Sequence, residues 1–152
     1  SMNEVGKKLF YIFDIDGTIA DLSHRLPHIQ KEPKDWRSFF ATVVDDTPIV
    51  HVIKLAIDVH LAGAKIIYVS GRSDECREAT EDWLQRHGLP EGKVYMRKEG
   101  DHRPDHQVKV ELLAQLRADG HNPVMAFDDR NAVVKMWREI GVPCAQVADG
   151  DF

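Results

Sequence analysis

Asp14 and Asp16 stand two residues apart in Asp14-Ile15-Asp16-Gly17-Thr18, directly after the apolar run Leu9-Phe10-Tyr11-Ile12-Phe13. An aromatic and β-branched run of that kind reads as a buried strand. It places Asp14 at the strand's carboxyl end and Asp16 in the turn beyond, with Gly17 relieving the backbone. In open α/β sheets that edge is where ligands bind. Paired carboxylates there suit a divalent cation and an electrophile the cation can neutralise, such as a phosphate. Asp-Gly is also a common turn pair, so D-x-D-G alone can be only a loop, although chemistry is the favoured reading. The residues that accompany it decide.

Two later apolar runs end in the same way. Ile66-Ile67-Tyr68-Val69 leads into Ser70-Gly71-Arg72, and Val124-Met125-Ala126-Phe127 leads into Asp128-Asp129-Arg130. Lys109 falls near the start of a predicted helix, with Asp105 four residues earlier on the same face. Ser70 and nearby backbone N–H groups can donate to phosphoryl oxygens. Lys109 can balance crowded carboxylates, and Asp128 and Asp129 can complete an oxygen-ligand set for Mg²⁺. Without a cation such a site resists a phosphate dianion, since like charges 4 Å apart repel by about 4 kcal/mol at an effective dielectric near 20. Singly, each feature has a plain reading: a turn for Ser-Gly-Arg, a solvated helix charge for Lys109, a helix cap for Asp128-Asp129. In this order, at strand ends and a helix start, they point together to phosphoryl transfer.

The elements that must position these groups alternate. Strand-like runs recur at Leu9–Phe13, Ala64–Val69, Lys93–Met96, Val124–Phe127 and Ala145–Val147. One helix is expected after a Thr47-Pro48 cap, with Ile49, Val52, Ile53, Ala56 and Ile57 inward and Gly63 as its stop. A second follows Ser73 and ends at Gly88, a third runs from about His106 to Asp119, and a fourth carries Val133, Val134, Trp137 and Ile140. Alternating strand and helix implies a doubly wound parallel sheet with helices on both faces. The polar segment Leu22–Asp46 breaks the alternation. It reads as a small cap or lid, residues 22–46, with one helix over about Lys34 to Val44. Trp36 and Phe39 in it, like Trp83 and Trp137, are expected to pack as core.

The chain has 152 residues, 43% of them hydrophobic, and a net charge of −5. One domain over 1–152 is expected, with no global basic field for nucleic acid, so any polynucleotide contact must come from a local arginine cluster. Cys76 and Cys144 form no disulfide framework and read as buried thiols of a cytoplasmic protein. No histidine pair has zinc-ligand spacing, no P-loop motif is present, and no membrane span is expected.

With these residues in hand, the chain resembles the haloacid dehalogenase superfamily of phosphatases through Asp14-Ile15-Asp16-Gly17-Thr18, Ser70, Lys109 and Asp128-Asp129. Within that superfamily it closely resembles the 3′-phosphatase domain of phage-type polynucleotide kinase/phosphatase. That likeness rests on Val69-Ser70-Gly71-Arg72, on Gly100-Asp101-His102-Arg103-Pro104-Asp105 leading to Lys109, and above all on the tail from Asp128 to Phe152. The resemblance implies a Rossmann-like fold, Asp14 as nucleophile and Asp16 as general acid/base, with Ser70 and Lys109 completing the catalytic set. It implies Mg²⁺ held by Asp14, the Asp16 backbone carbonyl, Asp128 and Asp129. Thr18, Arg25, Gly71, Arg72, Arg103 and Asp105 are the expected substrate-binding residues. The implied substrate is a 3′-phosphorylated DNA or RNA end or nucleotide. No kinase domain precedes the first strand, so a separate 5′-kinase is an expected candidate partner. Two alternatives stay open: a small-nucleotide or sugar phosphatase, and a phospho-aspartate receiver module. The receiver also combines acids, a hydroxyl and a lysine, but in a different chain order.

Overall fold

Successive side chains of a strand point to opposite faces of its sheet, and β1 (Phe10–Phe13) shows this directly. Phe13 joins one apolar core and Ile12 the other. The computed structural model describes residues 9–152. Residues 1–8 of the expected domain lie outside that range.

Five strands form one parallel sheet in the order β5-β4-β1-β6-β7, where β4 is Lys65–Ser73, β5 Val94–Arg97, β6 Pro123–Asp128 and β7 Cys144–Gln146. The Phe13 face is covered by α2 (Val50–Leu61) and α3 (Arg77–Arg86), which contribute Val52, Ile53, Ala56, Trp83 and Leu84. The Ile12 face is covered by α4 (Asp105–Ala118) and α5 (Asn131–Glu139), which contribute Leu112, Leu113, Leu116, Val134 and Trp137. The sequence-predicted fold class is therefore the observed one. From β1 the chain proceeds to β4 on one side and returns to β6 on the other. The carboxyl end of β1 is thus the topological switch point, where open α/β sheets leave a crevice.

Three local readings are corrected. Thr47-Pro48 does not cap α2. It is a two-residue strand, β3, paired antiparallel with β2 (Ala20–Asp21), and α2 starts only at Val50. Long-range pairing overrides the local cap preference here, and the Ile49 N–H goes to the Ile19 carbonyl at 2.8 Å. The helix expected over 34–44 is shorter. Asp35 caps α1 (Trp36–Ala41) by accepting from the Ser38 N–H at 3.0 Å, and Val43–Asp45 tightens into a 3-10 turn. Ser73 caps the 3-10 turn Asp74–Cys76, from which α3 then grows. Residues 22–46 leave and rejoin the body through the β2–β3 ribbon, since Asp21 pairs with Thr47. Among the described residues no helix is long and apolar enough to cross a membrane, and both cysteines are buried and free.

Candidate active site

The turn after β1 is built to present carboxylates. The Asp14 N–H is fixed to the Phe127 carbonyl at 3.0 Å, and the N–H groups of Thr18, Ile19 and Ala20 all converge on the Ile15 carbonyl. Gly17 takes a φ of +83°, a conformation that favours glycine. A Cβ at this position would overlap the Asp129 carboxylate, so the absent side chain makes room for that acid.

Around this turn lies a buried constellation. Asp14 accepts from the Thr18 hydroxyl at 2.9 Å on one oxygen and from Lys109 Nζ at 2.9 Å on the other. Lys109, at the first turns of α4, also donates to Asp128 Oδ2 at 2.8 Å. Asp128 is held further by Trp137 Nε1 at 3.2 Å and by the Asp129 N–H at 2.9 Å. Gln146 of β7 donates to the Asp129 carbonyl at 2.8 Å, and Gly150 lies so close to the same carbonyl that a Cβ there would overlap it. Strands β1, β6 and β7 and helices α4 and α5 therefore all meet on three acids and one lysine.

A second cluster adjoins the first through Asp16. Its Oδ1 accepts from Arg25 Nη2 at 2.9 Å and from Arg72 Nε and Nη2 at 3.0 and 2.7 Å. Behind the arginines sits the buried Asp46. It accepts from Arg25 Nε at 2.7 Å and Nη2 at 2.8 Å, from Arg72 Nη2 at 2.8 Å, and bonds His24 Nε2 at 2.7 Å. Arg72 reaches this position because β4 breaks register against β5 between Ser70 and Ser73, as a bulge does when it re-aims a side chain. Arg25 is 0% exposed, its guanidinium lies 4.5 Å over the Phe39 ring, and its Nη1 is the one buried side-chain donor without a partner among the described residues.

The electrostatics follow from the packing. Burial and the neighbouring Asp128 push the Asp14 carboxyl well above the usual range, against the pull of Lys109. Burial likewise raises Asp129. Lys109 is raised, because Asp128 and Asp14 outweigh the burial that would lower it. Asp16 goes the other way: burial would raise it, but Arg72 and Arg25 prevail and hold it below the usual range. The first cluster has more negative charge than its lysine balances, whereas the second is rich in guanidinium. A divalent cation fits the first, since Asp14, Asp128 and Asp129 each offer an oxygen and these lie within 4.8 Å of one another.

Of the sequence-predicted residues, Asp14, Thr18, Lys109, Asp128 and Asp129 lie in the first cluster, and Asp16, Arg25 and Arg72 in the second. Ser70 is buried on β4, its hydroxyl accepting from the Arg72 N–H at 3.0 Å. Gly71 lies against Asp105, whose carboxylate a Cβ on Gly71 would meet at 2.6 Å. Asp105 in turn is held by Arg97 at 2.5 Å and Arg130 at 3.3 Å. Arg103 is not brought to the clusters: its guanidinium is taken up by Asp101 and Glu111, 2.7 and 2.6 Å away at the surface. Arg25, although it belongs to the polar segment 22–46, is fully buried. Sequence reasoning missed Asp46, Trp137 as the donor to Asp128, and Arg97. Arg97 ties the Gly71, Asp101 and Arg103 carbonyls to Asp105.

Residues 9–152 match the family model of the polynucleotide kinase PNKP phosphatase domain. The chain belongs to that family. It is a phosphatase of the haloacid dehalogenase type, and the receiver-module alternative falls with that match. A chain of the Pnkp1/Rnl/Hen1 RNA repair complex superposes with a TM-score of 0.84 at 32% identity, covering 97% of this chain and 44% of that one. A candidate bifunctional polynucleotide kinase/RNA ligase of Autographa californica nuclear polyhedrosis virus is 28% identical over 134 residues, 86% of this chain and 18% of the viral protein. The class C acid phosphatase of Bacillus anthracis shares the fold, with a TM-score of 0.65 at 21% identity over 84% of this chain and 54% of that one. The chain thus spans less than half the length of the polynucleotide-kinase relatives it matches.

Proposed function

We propose that this phosphatase domain removes 3′-phosphates from polynucleotide ends, DNA or RNA, with Mg²⁺ and an aspartyl-phosphate intermediate. The observation that carries the reading is the meeting of a buried, doubly held Asp14 with an arginine pair that carries one free donor, in a chain of the PNKP phosphatase-domain family.

In this reading an Asp14 carboxylate oxygen attacks phosphorus in line, forming a phosphorus–oxygen bond as the bond to the 3′-oxygen breaks. Asp16 delivers its proton to the departing 3′-oxygen, then takes one from the water that hydrolyses the intermediate. Thr18 and Lys109 fix the two Asp14 oxygens beforehand, so little reorganisation accompanies attack. Asp16 rests as a carboxylate because Arg25 and Arg72 hold it. A phosphate dianion that engages those guanidinium groups removes what keeps Asp16 ionised, and so favours its proton-bearing form. Asp14, Asp128, Asp129 and the Asp16 carbonyl would hold Mg²⁺, which supplies charge neutralisation to the phosphoryl group. Ser70 and Gly71 would line the phosphoryl oxygens, with Asp105 supporting that loop.

The segment 22–46, which brings Arg25 to the site, is proposed as a small cap on a single domain. Two features of the relatives support a kinase or ligase partner, in the same chain or a separate one: their greater length, and the place of one of them in an RNA repair complex.

The test is a panel of 3′-phosphorylated oligonucleotide, 5′-phosphorylated oligonucleotide and nucleoside monophosphates with Mg²⁺. Phosphate release from the 3′-phosphorylated end at the highest kcat/KM, absent in Asp14→Asn, is expected. Preference for the monophosphates would replace this reading with a small-nucleotide phosphatase.

A further inference from the structure

Trp36 is 48% exposed, whereas Trp83 and Trp137 are fully buried. The expectation that Trp36 is core is thus only half met. Its ring lies 5.6 Å from Phe39 edge-on and 5.9 Å from Phe40 in a stacked arrangement, while about half of the residue remains exposed. Phe39 is the ring beneath the Arg25 guanidinium. A continuous row therefore runs from the proposed phosphate-binding arginine through Phe39 to an open indole. Lys34 Nζ stands over that indole, 5.9 Å from its ring centroid, on a long exposed side chain that a stacking base can displace.

Cations gather beside the indole. Arg25 is neutralised by Asp16 and Asp46, so the charges beside the indole are Lys31, Lys34 and Arg37 against Glu32 and Asp35, a local excess of one cation. Lys31, Lys34 and Arg37 are exposed. A rigid aromatic face set among exposed cations, adjoining a phosphate-binding site, is the combination that binds single-stranded nucleic acid: the rings stack on bases of any identity and the cations follow the backbone.

Resting on the polynucleotide reading above, we propose that Trp36 stacks on the nucleobase of the terminal nucleotide, with Lys34 beside the phosphodiester on its 5′ side. Substrate choice at this end is then made by the presence of a base rather than by which base it is. Phe39 and Phe40 hold the indole in place, and Arg25 couples the platform to the reacting phosphate.

Two measurements test this. In the inactive Asp14→Asn background, Trp36 is the one solvent-facing tryptophan, so a 3′-phosphorylated oligonucleotide is expected to quench tryptophan fluorescence, and the quenching to vanish in Trp36→Phe. For activity, Trp36→Ala is compared with Trp36→Phe on a 3′-phosphorylated oligonucleotide, on the same oligonucleotide ending in an abasic 3′-phosphorylated residue, and on an aryl phosphate. Loss of one stacked base weakens binding by about tenfold, and Trp36→Ala is expected to raise KM by that factor on the complete oligonucleotide. The aryl phosphate and the abasic end should show a several-fold smaller change, and Trp36→Phe, which keeps a ring, should restore most of the loss. Equal effects of Trp36→Ala on complete and abasic ends would overturn the platform while leaving the polynucleotide reading intact. A wild-type enzyme that turns over only the aryl phosphate would overturn both. Circular dichroism and thermal melting of each variant show whether the fold is retained, and a folded Trp36→Ala with wild-type KM on the oligonucleotide would sink the idea outright.

Discussion

Two guanidinium groups converge on Asp46 inside the protein, and that carboxylate shares with Asp16 the task of compensating the buried Arg25 and Arg72. Removing one partner of a buried ion pair leaves an uncompensated charge and costs about 3 kcal/mol or more. Asp46→Ala takes one of two carboxylates from both guanidinium groups, which Asp16 still holds, so it should lower the free energy of unfolding by about 3 kcal/mol, read from a denaturant midpoint at unchanged m. Asp46→Asn, which keeps the shape and one acceptor, should lose less stability while still losing activity on the oligonucleotide. A variant with Asp46→Ala as stable as wild type would mean that solvent or another acid satisfies the arginines. Nothing in the sequence near Asp46 distinguishes it from its neighbour Asp45, because its role depends on contacts across 21 and 26 residues. Asp14, Asp16, Lys109, Asp128 and Asp129 were legible because each sits at a strand end or helix start that apolar patterning reveals. Trp137 was read as core, and it is buried, but its indole N–H to Asp128 depends on how α5 packs on the sheet. Arg103 lies apart from the two clusters for the converse reason: Asp101 and Glu111 are close in sequence and engage it locally.

At the scale of elements, the two-residue strands did what local preferences do not report. Thr-Pro ahead of an amphipathic run is a good helix start, yet the chain uses it as β3 to close the ribbon at the base of residues 22–46. Boundaries elsewhere moved by one to a few residues, as helix ends do when 3-10 turns such as Asp74–Cys76 intervene. The turn joining β1 to β2 has a stricter requirement, and it lies at Gly17. Gly17→Ala must bear a positive φ, at a cost of about 1 kcal/mol, and must also push its Cβ against the Asp129 carboxylate. Displacing a residue that orients a metal ligand weakens metal binding by about 10- to 100-fold. The Mg²⁺ concentration for half-maximal activity should rise by about that factor. Gly120→Ala is the control: its φ is +91° but its Cβ would meet nothing within 4 Å. It should show a similar backbone strain with the Mg²⁺ dependence of wild type. Equal Mg²⁺ dependence in both variants would place the cation away from Asp129.

At the scale of the whole molecule, the acids of the first cluster come from the adjacent strand ends of β1 and β6, the two central strands flanking the switch point. The fold therefore gathers like charges at its own centre, which is why burial and Asp128 together raise the Asp14 carboxyl. Two consequences follow for stability. A cation bound there stabilises the native state by linkage, by about 2.7 kcal/mol at a hundredfold excess over its Kd. For a chain of this size that shifts the melting temperature by about 5 to 10 °C. Mg²⁺ should produce such a rise in wild type and a markedly smaller one in Asp129→Asn, whose side chain faces Gly17 and does not serve Lys109. Asp14→Asn provides the second reading. It replaces a carboxylate that resists ionisation with a neutral isostere, so without metal it should melt no lower than wild type, although turnover is lost. Sites that concentrate charge for chemistry are held at the expense of stability, and relieving them commonly stabilises the protein. If Asp14→Asn melts well below wild type without Mg²⁺, then Asp14 supports the fold mainly through its bonds to Thr18 and Lys109. The crowding of acids would in that case be balanced by Lys109 alone, with no stored repulsion for a cation to relieve.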